Sequence, residues 1–293
     1  MSETSWPTVP RTFLALDPDE HSLERAHVVL LPVPYDATTS YRSGARDGPA
    51  AIIEASRQME DYDTELECEP SSIGIYTAAE LEPHAGGPEA MTARVHQAVA
   101  WYAGQDKLVG MLGGEHSLTA GAVRAVVERT DDVSVLVFDA QADLREAYQG
   151  TRSSHASAVR RIADHAPVTL VGVRSMTVGE AALAQARSIP LFPRGPEPIT
   201  DVDSIVEGLS ANVYVSFDLD AFDPSFMAAV GTPEPGGLGW WEALAILRAV
   251  GERRRIVGFD VVELSPAEGP EACAYTAAKL VYKVIAYATR DLA

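Results

Sequence analysis

The sequence predicts an α/β fold of three layers, α on β on α, around a mostly parallel central sheet. Short runs of β-branched and aliphatic residues recur along the chain, they are apolar on both faces, and Ala-rich stretches with helical periodicity lie between several of them. In chain order, "HVVLLPV" (27–33) reads as a strand, "MTARVHQAVAWYA" (91–103) as a helix and "KLVGML" (107–112) as a strand. A helix follows over "SLTAGAVRAVVERT" (117–130), with Ser117 as its candidate N-cap. Strands are then expected at "VSVLVF" (133–138), "VTLVGV" (168–173) and "NVYVSFDLD" (212–220). The helix "WWEALAILRAVGERR" (240–254) and the strand "RIVGFDVVEL" (255–264) complete the pattern.

No repeat, linker or low-complexity segment divides the 293 residues, a length near the upper size of a single core. Residues 26–293 are therefore expected to form one domain, preceded by a polar, Pro-containing arm over residues 1–25. Apolar residues make up 46% of the chain and charged residues 22%, the balance of a globular protein and not of a disordered one. The formal charge of −19 argues against nucleic acid and anionic membrane as partners, since both would be repelled, and would attract a cationic small molecule. The first twenty residues show no basic start followed by an apolar core, and no run approaches the roughly 18 apolar residues of a spanning helix; the cytoplasm is the expected location. Cys68 and Cys273 have no metal-type spacing and read as two reduced thiols.

The unusual residues fall where strands end, the edge at which parallel sheets gather ligands. The run 133–138 stops at "DAQAD", placing Asp139 and Asp143 around Gln141. In "SFDLD", Ser216, Asp218 and Asp220 are expected on one face by the two-residue period of a strand. "GGEHS" (113–117) makes a tight turn and presents Glu115 and His116. Each feature alone is as consistent with a turn or a helix cap; together they occur at three strand ends. Like-charge pairs about 4 Å apart cost about 4 kcal/mol each at an effective dielectric near 20, so something positive must sit among such acids. One histidine with several carboxylates is the ligand set of a hard or borderline divalent metal, Mn²⁺ first, with Fe, Co, Ni and Mg open; the absence of nearby cysteine argues against structural zinc.

These segments, with "SSHAS" (153–157), "SFDLDAFDPSF" (216–226), "GTPEPGGL" (231–238), "ELSP" (263–266) and "VPYDATTSYRSGARDGPAAI" (33–52), resemble the ureohydrolases, the arginases and agmatinases. The resemblance runs from about residue 27 to the last helix and implies a parallel sheet of about eight strands carrying two Mn²⁺ ions bridged by hydroxide. It implies His116, Asp139, Asp143 and Asp218 as ligands of the first ion and Asp139, Asp218 and Asp220 as ligands of the second. The metal-bound hydroxide would attack a guanidinium carbon. Glu263 and Thr232 would hold that guanidinium, and His155 would carry protons to the leaving amine. Without the resemblance, His155 also reads as a helix-start histidine and Thr232 as a turn residue. His21, His27, His84, His96 and His165 match no motif.

Residue 141 departs from the family, which has a metal-ligating histidine there. The amide oxygen of Gln141 is a poorer ligand for a transition metal than imidazole nitrogen. Three outcomes stand open: a second ion held with Gln141 or water, a one-metal enzyme, or a catalytically weak metal-binding relative. The loop "LREAYQGTRSSHAS" resembles agmatinases more than arginases, which implies a guanidine with a cationic tail: agmatine, yielding putrescine and urea, then aminopropylagmatine. Guanidinobutyrate, guanidine and formiminoglutamate stay open. The resemblance also implies a homo-oligomer, a trimer or hexamer.

Overall fold

The computed structural model describes residues 7–292. Among these residues there are eight strands: β1 (Val28–Val33), β2 (Ile75–Thr77), β3 (Leu108–Gly113), β4 (Val133–Phe138), β5 (Val168–Val171), β6 (Leu191–Phe192), β7 (Asn212–Asp218) and β8 (Arg255–Val262). They form one sheet in the order β2-β1-β3-β8-β7-β4-β5-β6, with every pairing parallel. Eight helices accompany it: α1 (Gly48–Ser56), α2 (Pro88–Ala103), α3 (Thr119–Val127), α4 (Ala158–Ile162), α5 (Val178–Ala186), α6 (Val202–Glu207), α7 (Trp240–Arg253) and α8 (Ala272–Ala288).

Because strand side chains alternate, each strand feeds two cores. Val28 and Leu30 of β1, with Phe138, Phe217 and Phe259, pack under α1, α6, α7 and α8; Val29 and Leu31, with Val135, Val137 and Tyr214, pack under α2, α3, α4 and α5. This is the expected three-layer architecture. The six apolar runs correspond to the six inner strands. The two unexpected strands, β2 and β6, are the edges, three and two residues long. Strands that short carry no readable period.

Four local details differ from the sequence expectation. β7 stops at Asp218, so Asp220 lies in a 3-10 turn over Leu219–Ala221 and owes its position to that turn. β8 stops at Val262, one residue before Glu263. Ser117 is not an N-cap: it lies inside the 3-10 turn His116–Leu118, its hydroxyl donates to the Glu115 carboxylate, and α3 begins at Thr119. Of the N-terminal arm, residues 1–6 lie outside the described residues, while Phe13 is fully buried against the sheet. The Phe13 N–H donates to Thr77 Oγ1 at 2.9 Å and the Leu14 N–H to Ser56 Oγ at 2.9 Å, which docks that stretch onto β2 and α1. Cys68 is half-buried and Cys273 buried, and neither is bridged. Among the described residues no helix is long and apolar enough to cross a membrane.

β3 and β4 follow one another in the chain but are separated in the sheet by β8 and β7. Such a gap opens a crevice at the carboxyl ends of the strands. Gly114 lets two loops meet there: its N–H donates to Val33 O at 2.9 Å, and a Cβ at this position would lie 1.9 Å from the backbone oxygen of Tyr35. Gly114→Ala should therefore cost about 3 kcal/mol of stability, read as a lowered denaturant midpoint at unchanged slope; an unchanged midpoint would show that the Tyr35 loop can yield.

Candidate metal centre

Four adjacent strands, β3, β8, β7 and β4, deliver residues at or just beyond their carboxyl ends to one point: Asp218 ends β7, Asp139 and Glu263 follow β4 and β8 directly, and His116 lies three residues past β3. His116 is 1% exposed, and three carboxylates surround its Nδ1: Asp139 Oδ2 at 3.1 Å, Asp218 Oδ2 at 3.3 Å and Asp143 Oδ2 at 3.4 Å. None of these approaches has the geometry of a hydrogen bond, so His116 Nδ1 and Asp139 Oδ2 are buried polar atoms without a partner. Stranding two such atoms in a protein interior is costly unless something else satisfies them. Nitrogen and oxygen lone pairs aimed at a common point fit a divalent cation. Among the described residues, His116, Asp139 and Asp218 are the one group of three or more possible ligands whose atoms all lie within 4.8 Å of one another.

Electrostatics point the same way. Burial first, and then the neighbouring acids, push the carboxyls of Asp139 and Asp218 well above the usual carboxylate range. Burial disfavours protonation of His116, but the acids around it outweigh burial and hold the imidazole well above its ordinary value. The protein groups alone therefore retain protons where a bound cation would displace them.

Asp220 is held differently. Its Oδ1 accepts from the Ala140 N–H at 3.1 Å and its Oδ2 from the Thr232 hydroxyl at 2.9 Å. Thr232, expected to touch substrate, thus spends its proton on an acid while still lining the cavity. Gln141 donates its backbone N–H to Asp139 Oδ1 at 2.6 Å, and it too lines the cavity, together with Asp143, Asp218, Asp220, His155 and Glu263. A larger cavity of about 810 Å³ lies at the opposite edge of the sheet, beside Lys107 and Arg255, and gathers no buried acids.

Glu263 leaves β8 with φ at +67° and Asp143 sits at +47°, a left-handed backbone that is unfavourable for residues with a Cβ. At both positions the strain turns an acid toward the cavity. Glu263 Oε1 accepts the His116 N–H at 2.7 Å, tying the two strand ends together. Burial and then Asp218 push its carboxyl well above the usual range. His155 enters from the loop before α4; its Nε2 lies 3.2 Å from Ser40 Oγ, and its ring meets Tyr148 edge-on with centroids 5.8 Å apart.

The sequence reading assigned no role to several buried groups. Ser216 Oγ lies 3.1 Å from His116 Nε2 and donates to Asp260 at 2.8 Å, and Asp260 also accepts from the Tyr214 hydroxyl at 2.8 Å. This chain fixes the ring that carries Nδ1. Glu115, fully buried, accepts from the Thr38 N–H at 2.6 Å and hydroxyl at 2.7 Å. An acid inside "GGEHS" was the available signal for Glu115; Thr38 and Asp260 offered none.

Residues 26–286 match the Arginase family. The chain is 41% identical over 265 residues to an N(1)-aminopropylagmatine ureohydrolase of Thermus thermophilus, covering 89% of this chain and 90% of that protein. It is 34% identical over 270 residues to the agmatinase of Pyrococcus horikoshii, covering 92% and 94% respectively. Its fold superposes on the agmatine ureohydrolase of Thermoplasma volcanium with a TM-score of 0.86 at 30% identity, covering 99% of this chain and 96% of that one.

Proposed function

Because the chain belongs to the arginase family, we propose that it hydrolyses a guanidino compound to urea and an amine. The observation that carries this reading at the site is His116 Nδ1, buried and unpartnered amid three carboxylates. His116, Asp139, Asp143 and Asp218 would hold a first Mn²⁺; Asp139, Asp218 and Asp220, with Gln141 beside them, would hold a second. Ions bound here supply positive charge to the acid cluster and lower the pKa of a water that must act as nucleophile near neutral pH.

The remaining steps belong to the chain. Glu263 faces the cavity as the anion that would pair with the planar guanidinium and fix its carbon against the acid cluster. Backbone strain and the His116 N–H hold that carboxylate in place. His155 would deliver a proton to the departing amine nitrogen, since an amine leaves far more readily than its anion. Thr232, bonded to Asp220, would position that acid and border the substrate.

The substrate is a guanidine with a cationic tail. Agmatine and the longer N(1)-aminopropylagmatine are the two candidates, and the higher identity to an aminopropylagmatine ureohydrolase weighs toward the second. Protein stripped with chelator and titrated with Mn²⁺ should release urea from one or both, with kcat/KM naming the better substrate. No urea from either at any metal concentration would reject the assignment. A homo-oligomer, trimer or hexamer, goes with this reading, and light scattering tests it.

A further inference from the structure

Thr38 stands at the centre of a hydrogen-bond arrangement that the hydrolytic scheme does not yet use. Its hydroxyl donates to Glu115 Oε1 at 2.7 Å, and its backbone N–H donates to Glu115 Oε2 at 2.6 Å. Ser117 adds a third donor to the same carboxylate. With its one proton committed to Glu115, Thr38 Oγ1 can only accept from other groups. His155 meets this oxygen twice: its backbone N–H donates to Thr38 Oγ1 at 2.9 Å, and its ring Nδ1 lies 3.4 Å from the same atom. Ser154 Oγ lies 3.3 Å from Nδ1, and Ser40 Oγ lies 3.2 Å from Nε2.

We propose that Glu115, acting through Thr38, is the positioning device for His155: it fixes the Nδ1–H form of the ring and leaves Nε2 as the nitrogen that exchanges a proton in the cavity. Thr38 and Glu115 are positioning residues; only His155 would meet the reacting atoms. One lone pair of Thr38 Oγ1 takes the backbone N–H of His155 and the other faces the ring Nδ1, while the hydroxyl proton is held by an acid that is completely buried. Rotating the hydroxyl to donate to Nδ1 would deprive Glu115 of a donor in a place where water cannot replace it. The same oxygen therefore sets both where the histidine backbone sits and which ring nitrogen carries the proton. Glu115 in turn follows directly on Gly114, so the backbone crossing at Gly114 and the histidine tautomer belong to one piece of structure.

The consequence for catalysis rests on the role proposed above for His155, and the test separates the two claims. Uniformly ¹⁵N-labelled, metal-free protein is observed by ring nitrogen–proton correlation, with the His155 signals identified by their loss in His155→Ala. Wild type and Thr38→Ser should show Nδ1 protonated and Nε2 bare. Thr38→Val, close in shape but without the acceptor, should move His155 toward the Nε2–H form. Glu115→Gln gives a second, independent reading: its amide NH₂ facing Thr38 Oγ1 releases the hydroxyl proton toward Nδ1, and the same change of tautomer is expected. With urea release as the readout, Thr38→Val should lower kcat about tenfold with KM nearly unchanged, and Thr38→Ser should restore it. An unchanged tautomer in both Thr38→Val and Glu115→Gln overturns the proposal, whatever the rates. If wild type releases no urea while the tautomer responds as described, the proposed reaction fails and the positioning device stands.

Discussion

Asp139→Asn should lower urea release on the order of 10³-fold and, in the same protein, raise the melting temperature of the chelated form. The first effect follows because Asp139 lies closest of the three acids to His116 Nδ1 and carries an unpartnered oxygen aimed at the same point. The second follows from repulsion. Asp139, Asp218 and Glu263 are buried with carboxyls pushed well above the usual range, so the folded chain binds more protons than the unfolded one. Their penalty begins as pH rises past the ordinary carboxylate value, about 4, and grows through the raised folded values. His116 acts in the same direction: its contribution is complete below the ordinary imidazole value and is lost as pH climbs through the raised one. The chelated wild type should therefore melt at a progressively lower temperature as pH rises from the ordinary carboxylate value into the alkaline range. Asparagine removes one buried charge and should flatten that slope, while Mn²⁺ should flatten it in the wild type. A chelated Asp139→Asn protein that melts below the wild type at the alkaline end of that range would show that repulsion is not the dominant cost.

Gln141→His should lower the Mn²⁺ concentration giving half-maximal urea release by about a hundredfold. Gln141 lines the cavity with Asp220 and Thr232, and its backbone already donates to Asp139. An imidazole there would replace a neutral amide oxygen with a donor of much higher affinity for first-row metals. The titration also separates the three ways of accommodating this glutamine. A second ion held weakly predicts a midpoint that moves with the substitution and two equivalents of metal per chain in the variant. A one-metal enzyme predicts one equivalent before and after. A weak metal-binding relative predicts no urea from the wild type and activity gained by the histidine variant. An unmoved midpoint would remove residue 141 from the ligand set.

The elements that the sequence foretold are those in which local pattern and tertiary environment agree. β4 is apolar on both faces because both faces are buried, and its run of Val, Leu and Phe is readable without knowing its neighbours. The acids at its end are conspicuous for the same reason: Asp139 interrupts a pattern that has no place for charge. β2 and β6 were illegible because edge strands of three and two residues take their conformation from one neighbour, not from their own side chains. Asp218 and Asp220 do border one cavity as the alternation implied, but a 3-10 turn after Asp218, not the strand pleat, places Asp220 there.

The layer architecture, the run of buried strands and the chemistry gathered at their ends are written in the order of the residues, because periodicity, burial and residue type act over neighbours a few positions apart. Folding alone settled which of those acids share one imidazole nitrogen, that Asp220 is occupied by Ala140 and Thr232, and that Glu115 reaches His155 through Thr38. Among those contacts, Thr38–Glu115, Ala140–Asp220 and Thr38–His155 join residues 77, 80 and 117 positions apart, brought together by the strand order β3-β8-β7-β4 and by loop backbone packed at Gly114. No local rule encodes such distances; they follow from packing eight parallel strands so that the ends of distant segments meet at one edge.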